Sequence, residues 1–405
     1  MKYKRIIFKK LSEHIENKEF SIIIGARQTG KTTLLMQLKE YLTGKGRKVY
    51  FISLEDMIIL DELNKHPENV FRLIPKPENE KFYLLIDEIQ YLSNPSNFLK
   101  LLYDLYFDKL KIIATGSSAF YIDKKFKDSL SGRKRIFELF TLDFEEYLMF
   151  NNASDLIPEL HNIRNNSNYI SLERAEILKY FSEYLIYGGY PAVALQNQTD
   201  EKIIILRELL SSYLKKDILE CGIQHDNKFI KLITILSHQT GSLLNINELA
   251  NTIGLSVSAV RNYINILEKS FHINTISPFY SNIRKELTKM PKLYFNDLGL
   301  RNVIMNNFNL LEQRTDRGEI VENYIFIRLK QVYGKENIKF WRTADGNELD
   351  FVYFHNNLKY AVESKYNHKE FRLSKYKKFS ENYPNIPVSC RAFISETNDS
   401  NIIGM

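Results

Sequence analysis

The residue types able to do chemistry fall in two places. Near the start, Gly25-Ala26-Arg27-Gln28-Thr29-Gly30-Lys31-Thr32 has the spacing G-x-x-x-x-G-K-[ST], with Thr33 directly behind it. Gly25 and Gly30 let the backbone turn so that its N–H groups, through Arg27, Gln28 and Thr29, converge on phosphate oxygens. The Lys31 ammonium suits β and γ phosphates, and the Thr32 hydroxyl suits Mg²⁺. This is the chemistry of binding a nucleoside triphosphate. Asp87-Glu88 adds two adjacent carboxylates, Asp87 to hold the magnesium through water and Glu88 to polarise an attacking water. Thr115 and Ser117 are the polar candidates for sensing the γ phosphate, and spacing does not choose between them. In Ser131-Gly132-Arg133-Lys134-Arg135, Arg133 or Arg135 could touch that phosphate within the chain or across a subunit contact; a charged surface turn explains them as well.

The second place is near the end. Glu322, Asp350, Glu363 and Lys365 give the order E…D…E-x-K, the arrangement of PD-(D/E)XK nucleases. In such a site Asp350 and Glu363 would bind Mg²⁺ or Mn²⁺. Glu322 would complete the metal sphere or hold a water, and Lys365 would position or activate the attacking water. The alternative leaves Glu363 and Lys365 on a solvated face, with Glu322 in a salt network.

Elements must hold these groups. Phe20-Ser21-Ile22-Ile23-Ile24 is a short apolar run of strand character, and helical spacing runs from Thr33 to Leu42. Strand, loop and helix are the context the first motif needs. Further strands are expected over 48–55, 81–86 and 110–115. Their alternation with helices to about residue 145 indicates a three-layer α/β domain with a mainly parallel sheet. An Asn-rich stretch over 162–168 reads as an exposed loop. Helices follow over about 173–185 and 201–219, with Gly188-Gly189-Tyr190-Pro191 as the break between them. Residues 225–300 read as a winged helix, in which Ser256 caps a helix to Lys269. Ser256, Ser258, Arg261 and Asn262 would face a DNA major groove, and Arg284, Lys285 and Lys289 would form a basic wing. A packing or protein-contact role is the plainer reading. In the last part, Glu319 and Glu322 share a helix face to about Gln331, and strands are expected over 338–342, 348–354, 358–366 and 389–394. Lys369, Arg372, Lys375, Lys377 and Lys378 would sit on a basic helix able to grip a nucleic-acid backbone or merely face solvent.

The chain resembles the bacterial and archaeal AAA-type ATPases that join an ATPase core to a C-terminal domain of uncertain function. The resemblance rests on residues 25–35, Leu85-Ile86-Asp87-Glu88-Ile89-Gln90 and Thr115-Gly116-Ser117-Ser118. It continues through Leu130-Ser131-Gly132-Arg133, Gly188-Gly189-Tyr190-Pro191, residues 292–300 and residues 341–352, so it spans nearly the whole chain in order. It departs at Ala26, where the family often has proline. The resemblance implies ATP binding, a helical lid, a winged-helix module and a restriction-nuclease-like domain.

Composition bounds these readings. The chain has 405 residues, 44% hydrophobic and 26% charged, which excludes a disordered or collagen-like protein. Two cysteines, Cys221 and Cys390, exclude a disulfide scaffold and a Cys-based zinc finger. The histidines His161, His225 and His238 are not at metal-ligand spacing. No apolar run approaches the roughly 18 residues of a membrane helix. Met1-Lys2-Tyr3-Lys4-Arg5-Ile6-Ile7-Phe8 lacks the features of a signal peptide, so a cytoplasmic protein without a membrane partner is expected. A net charge of +7 permits a nucleic-acid partner without requiring one. The expected fold is α/β: a P-loop NTPase core of AAA type (1–150), a helical lid (151–222), a winged-helix domain (223–300) and a PD-(D/E)XK-like α/β domain (301–405). The expected function is ATP hydrolysis with Mg²⁺, associated with nucleic acid and coupled to the nuclease-like domain. The alternative is a regulator or defence module whose C-terminal domains recognise DNA or a protein without cutting. Double-stranded DNA, a protein and further copies of the chain are the partners considered beside ATP.

Overall fold

A computed structural model describes residues 3–77, 80–117, 130–221, 223, 225–280, 286, 289–395 and 397–405. Ser118, Arg284, Lys285 and the side chain of Cys221 lie outside what is described. The chain divides into two compact units, 1–142 with 269–271, and 143–268 with 272–405.

The first unit holds α1 (Ile7–His14), β1 (Phe20–Ile24), α2 (Lys31–Gly44), β2 (Lys48–Ser53), α3 (Met57–Lys65), β3 (Phe82–Asp87), α4 (Pro95–Tyr106), β4 (Leu110–Gly116) and β5 (Lys134–Glu138). Its five strands run in the order β2-β3-β4-β1-β5, and every pairing is parallel. Strand periodicity explains the layering. On β3, Phe82, Leu84 and Ile86 pack with Leu99 and Leu102 of α4 and Leu63 of α3. The intervening Tyr83 and Leu85 pack on the other face with Leu34, Leu38 and Leu42 of α2 and Leu11 of α1. A sheet buried on both faces reads as continuous apolar runs, as β1, β3 and β4 do. The order places β4 between β1 and β3, so Thr115 sits between the phosphate-loop strand and the Asp87 strand.

The second unit begins with α5 (Phe144–Phe150), α6 (Ile157–Asn165), α7 (Arg174–Tyr187) and α8 (Thr199–Cys221). The expected loop over 162–168 is partly helix: Leu160 and Ile163 are buried and hold α6 to Asn165 despite its asparagines. The break after α7 has a physical reason. Gly188 has φ +75°, and a Cβ there would lie 2.2 Å from Asp297 Oδ1. Asp297 accepts from Gly189 N at 2.8 Å and, through Leu300 N at 3.0 Å, caps the helix Leu298–Met305.

Three helices follow, α9 (Asp226–His238), α10 (Ile246–Ile253) and α11 (Val257–Lys269), then an antiparallel pair, β6 (Ile273–Ile276) and β7 (Lys292–Phe295). On α11, Val260, Tyr263, Ile264 and Leu267 are buried, while Ser256, Ser258, Arg261 and Asn262 are exposed. Ser256 Oγ accepts from Ala259 N at 3.2 Å, as a capping residue does.

The unit ends with α12 (Leu298–Met305), α13 (Arg317–Tyr333), β8 (Ile338–Arg342), β9 (Glu348–His355), β10 (Leu358–Asn367) and β11 (Val388–Ile394). The four strands form one sheet, β11-β10-β9-β8, antiparallel except for the parallel β10–β11 pair. One face packs Trp341, Leu349, Val352 and Ala361 with Phe379 and Ile386. The basic segment after Tyr366 is not one helix. It forms two 3₁₀ turns and a six-residue helix, Lys377–Asn382, because Phe371, Tyr376 and Phe379 fold inward at irregular spacing. Lys369, Arg372, Lys375, Lys377 and Lys378 are all exposed on it. No described helix is long and apolar enough to cross a membrane.

Candidate functional site

The phosphate loop leaves β1 at Ile24 and enters α2 at Lys31. Gly25 is fixed by crowding: at φ +155° a Cβ would lie 2.2 Å from the Leu139 carbonyl oxygen. Gln28 has φ 55° and Gly30 φ 94°, so the loop turns twice through the left-handed region before α2 starts. Thr29 is fully buried, and its hydroxyl donates to the Ala26 carbonyl at 2.9 Å. Arg27 is half-buried, and Thr32 and Thr33 are exposed on the first turn of α2. Lys31 Nζ donates to the carbonyls of Gly25 at 3.0 Å and Ala26 at 2.7 Å. Burial pulls the Lys31 ammonium from its ordinary 10.5 down to about 8; Arg27 adds to the pull, and Glu88 and Asp87 oppose it.

The carboxylates meet the loop as parallel topology requires, at the carboxyl ends of neighbouring strands. Thr32 Oγ1 donates to Asp87 Oδ2 at 2.7 Å. Thr115 Oγ1 donates to the other Asp87 oxygen and accepts from Glu88 N at 3.0 Å. Glu88 itself has φ 57°, an uncommon backbone for a side chain of its size. Its carboxylate is held by Ser117 Oγ at 3.0 Å and by Gln90 Nε2, and Gln90 Nε2 also donates to Ser117 Oγ at 3.0 Å. The two polar candidates on β4 therefore have different partners, Thr115 with Asp87 and Ser117 with Glu88.

Arg133 is not brought to this site within the chain. Its carbonyl accepts from Phe20 N at 2.9 Å, at the start of β1, whereas the loop follows the far end of that strand. Its guanidinium pairs with Asp104 at 2.7 Å. Arg135 pairs in register with Ser21, also short of the loop. Motif reasoning passed over Arg5. Arg5 is buried, and its guanidinium donates to the carbonyls of Thr29 in the loop and Phe140 beyond β5, each at 2.8 Å. Nothing in the local sequence marks it, because both partners are main-chain atoms far along the chain.

Thr32 and Asp87 fit a Mg²⁺ site: a hydroxyl and a carboxylate, hard oxygen donors, already face each other beside the loop.

The carboxy-terminal residues are also brought together. Glu322 on α13, Asp350 on β9 and Glu363 and Lys365 on β10 meet beside a cleft of about 440 Å³ that Glu319, Glu322, Asp350 and Lys365 help to line. Asp350 Oδ2 accepts from Ser364 N at 2.9 Å and from Ser364 Oγ. Glu363 pairs with Lys365. Burial and the Asp350 charge raise Glu363 to about 7 and Glu322 to about 8.

The arrangement does not fit a metal among these acids. Lys292 of β7 projects its ammonium into the cluster, 2.5 Å from Glu348 Oε1, 3.0 Å from Glu322 Oε1 and 3.4 Å from Asp350 Oδ1. Tyr294 Oη also donates to Glu322 Oε1, at 2.7 Å. Burial would lower Lys292, but Glu322, Tyr294, Asp350 and Glu348 outweigh it and hold the ammonium well above its ordinary range. Among the described residues, no group of three or more His, Cys, Asp or Glu is disposed to hold a metal ion. The three residues expected to form a metal site, Glu322, Asp350 and Glu363, are here paired with lysines, Glu322 and Asp350 with Lys292 and Glu363 with Lys365. Sequence spacing could not show this, because Lys292 precedes Glu322 by thirty residues in an apolar strand.

The parallel sheet, its phosphate loop and the Asp87-Glu88 pair at the end of β3 define a P-loop ATPase of the AAA class. Residues 17–148 match the AAA domain family, and the first unit is an ATP-binding ATPase domain. Residues 178–311 and 317–402 match two domains of unknown function. The chain is 30% identical over 380 residues to an uncharacterised protein of Methanocaldococcus jannaschii, covering 90% of this chain and 79% of that one, and it belongs to the same family. An uncharacterised protein of Haemophilus influenzae is 25% identical over 347 residues, covering 82% of this chain and 78% of its own. Among solved structures, the Aeropyrum pernix ORC1 protein in complex with DNA superposes with a TM-score of 0.35 at 10% identity, covering 76% of this chain and 94% of that one.

Proposed function

We propose that this ATPase hydrolyses ATP with Mg²⁺ and couples the cycle to recognition of nucleic acid by its carboxy-terminal half. The observation that carries the hydrolytic part is the continuous set of hydrogen bonds from Thr32 through Asp87 and Thr115 to the Glu88 backbone. It couples the residue behind the phosphate loop to the residue suited to act as base. Gly25, Arg27, Gln28, Thr29, Gly30, Lys31, Thr32 and Thr33 are read as the nucleotide-binding residues. Lys31 exchanges its two loop carbonyls for phosphate oxygens, which its charge favours. Thr32 and Asp87 are the residues suited to hold Mg²⁺, which when bound neutralises phosphate charge. Glu88, held by Ser117 and Gln90, takes the proton of the attacking water. Arg133, paired with Asp104 on the surface, is read either as a charged turn or as a residue offered to a neighbouring copy's nucleotide, and the second makes a homo-oligomer part of the reading.

In the second unit, α9, α10, α11 and the β6–β7 pair have the order of a winged helix, preceded by a helical lid over 151–222. The exposed Ser256, Ser258, Arg261 and Asn262, opposite the buried face of α11, support its use as a DNA-reading helix. The order of Glu322, Asp350, Glu363 and Lys365 on one helix and two antiparallel strands supports a PD-(D/E)XK-like fold for 301–405. A second reading, recognition without cutting, is favoured by Lys292 inside the acidic cluster.

The test is ATP turnover of the full chain with and without labelled double-stranded DNA, with cutting scored in the same tubes. The expected result is turnover that DNA raises, lost in Lys31→Ala. Turnover intact in Lys31→Ala overturns the assignment of the phosphate loop. Turnover indifferent to DNA, with no DNA bound, moves the carboxy-terminal half to protein recognition.

A further inference from the structure

The acidic cluster of the carboxy-terminal sheet is built from two elements, and a third supplies its cation. Glu322 comes from α13, and Glu348 and Asp350 come from β9. All three converge on the Nζ of Lys292, which is 1% exposed. Carboxylates packed this closely, Asp350 buried and Glu322 and Glu348 half-buried, repel one another and favour a cation among them. The oxygens turned away from Lys292 are used as well. Asp350 Oδ2 is held by Ser364, Glu348 pairs through its second oxygen with Arg342, and Glu363 pairs with Lys365.

We infer that Lys292 is a built-in cation standing where a nuclease-like fold would place its divalent metal, and that it keeps the native cluster from loading one. The inference rests on the PD-(D/E)XK-like reading of this domain and goes further, since it assigns the cation position to a side chain of the hairpin before it. An ammonium and a divalent ion cannot share the position. The oxygens of Glu322 and Asp350 that hold the ammonium are ones the divalent ion would need, and the two cations repel at contact distance. Access is not what excludes the metal, because the adjoining cleft is open and about 440 Å³ in volume. Lys292 is also locked in place. Its strand neighbour Tyr294 donates to the same Glu322, and the Tyr294 ring stacks on Phe326 of α13 at 4.6 Å between centroids. The cation therefore joins β7, α13 and β9 in one buried contact, and the sheet is held by a lysine in place of a metal.

The experiment is calorimetric titration of Mn²⁺ into the full-length, nucleotide-free chain. Four proteins are compared: wild type, Asp350→Asn, Lys292→Ala and the double variant. The expected result is equal Mn²⁺ stoichiometry in wild type and Asp350→Asn, a gain of one equivalent in Lys292→Ala, and its loss in the double variant. A wild-type equivalent that Asp350→Asn removes overturns the inference and leaves the nuclease-like reading standing. A folded Lys292→Ala that gains no Mn²⁺ overturns both, since the acids then bind no metal even when freed. Removing a buried cation can unfold the domain, so Lys292→Gln, uncharged and nearly as long, replaces the alanine variant if that chain is not monodisperse. The comparison of wild type with Asp350→Asn needs neither variant and decides the first point alone.

Discussion

The Thr32 hydroxyl donates to Asp87 Oδ2 at 2.7 Å, joining the first turn of α2 to the end of β3. The second oxygen of Asp87 is held by Thr115, so the carboxylate has a single orientation. Asp87→Asn keeps its size and one acceptor but removes the charge and reverses one hydrogen bond. Turnover should fall by about 10- to 100-fold, with more Mg²⁺ needed for half-maximal rate. Thr32→Ser should retain most activity and Thr32→Ala little. A Mg²⁺ titration of steady-state turnover checks this, and an Asp87→Asn chain with an unchanged Mg²⁺ requirement removes Asp87 from the metal site.

Glu88 is positioned by its neighbours on both sides. Its backbone is held in the left-handed region by Thr115, and its carboxylate by Ser117 and Gln90. Glu88→Gln should bind ATP normally and hydrolyse it about 10²- to 10⁴-fold more slowly. Ser117→Ala removes one hydrogen bond to a charged group, worth about 1.5–3 kcal/mol, and should lower kcat by roughly tenfold or more with KM little changed. Ser117→Thr should restore the rate, which a purely structural role would not require. Separate measurement of kcat and of nucleotide affinity distinguishes these outcomes.

Arg5 braces the phosphate loop from outside the motif. Arg5→Ala removes the donor to the buried carbonyl of Thr29, at about 1–3 kcal/mol, together with a half-buried hydrogen bond to the Phe140 carbonyl. The melting temperature of the first unit should fall, and KM for ATP should rise several-fold as the loop loosens. Arg5→Lys should recover only part, because one ammonium cannot reproduce a planar fork bridging two carbonyls. Calorimetry together with ATP kinetics checks both effects; a normal KM in a destabilised Arg5→Ala chain confines Arg5 to a structural part.

These cases mark what was legible in the sequence. The first unit was readable because its motif is local: Gly25 to Thr32 are consecutive in the chain, and the apolar runs of β1, β3 and β4 announce a doubly covered sheet. The four strands over 338–394 were also readable, within a residue or so of their observed ends. β5 was not, because Lys134-Arg135-Ile136-Phe137-Glu138 is an edge strand that buries little. Arg5 and Lys292 were missed for a common reason: each is defined by partners distant in sequence. Gly188 and Asp297 belong to two separate motifs, and only the fold shows that they touch, one requiring the absence of a Cβ and the other supplying the cap. Spacing placed the four carboxy-terminal residues together but could not count the lysine that enters from β7.

The first unit should also respond to pH through His14. Its ring is buried, with Nδ1 2.9 Å from Ser21 Oγ and its edge against Phe137. Burial, with Lys111 and Arg135 adding to it and Glu19 opposing, lowers His14 from its ordinary 6.5 to about 4. The unfolded chain therefore takes up this proton more readily than the folded one. By linkage, stability is complete above pH 6.5, falls as pH drops from 6.5 toward 4, and stops changing on this account below 4. His14→Asn keeps a hydrogen-bonding group near Ser21 but cannot ionise. It should cost some stability at pH 7.5, where loss of the ring matters and titration does not, and flatten the decline between pH 6.5 and 4.5. Thermal unfolding of both chains across that range checks the sign: a variant that tracks the wild-type slope places the titration elsewhere in the unit.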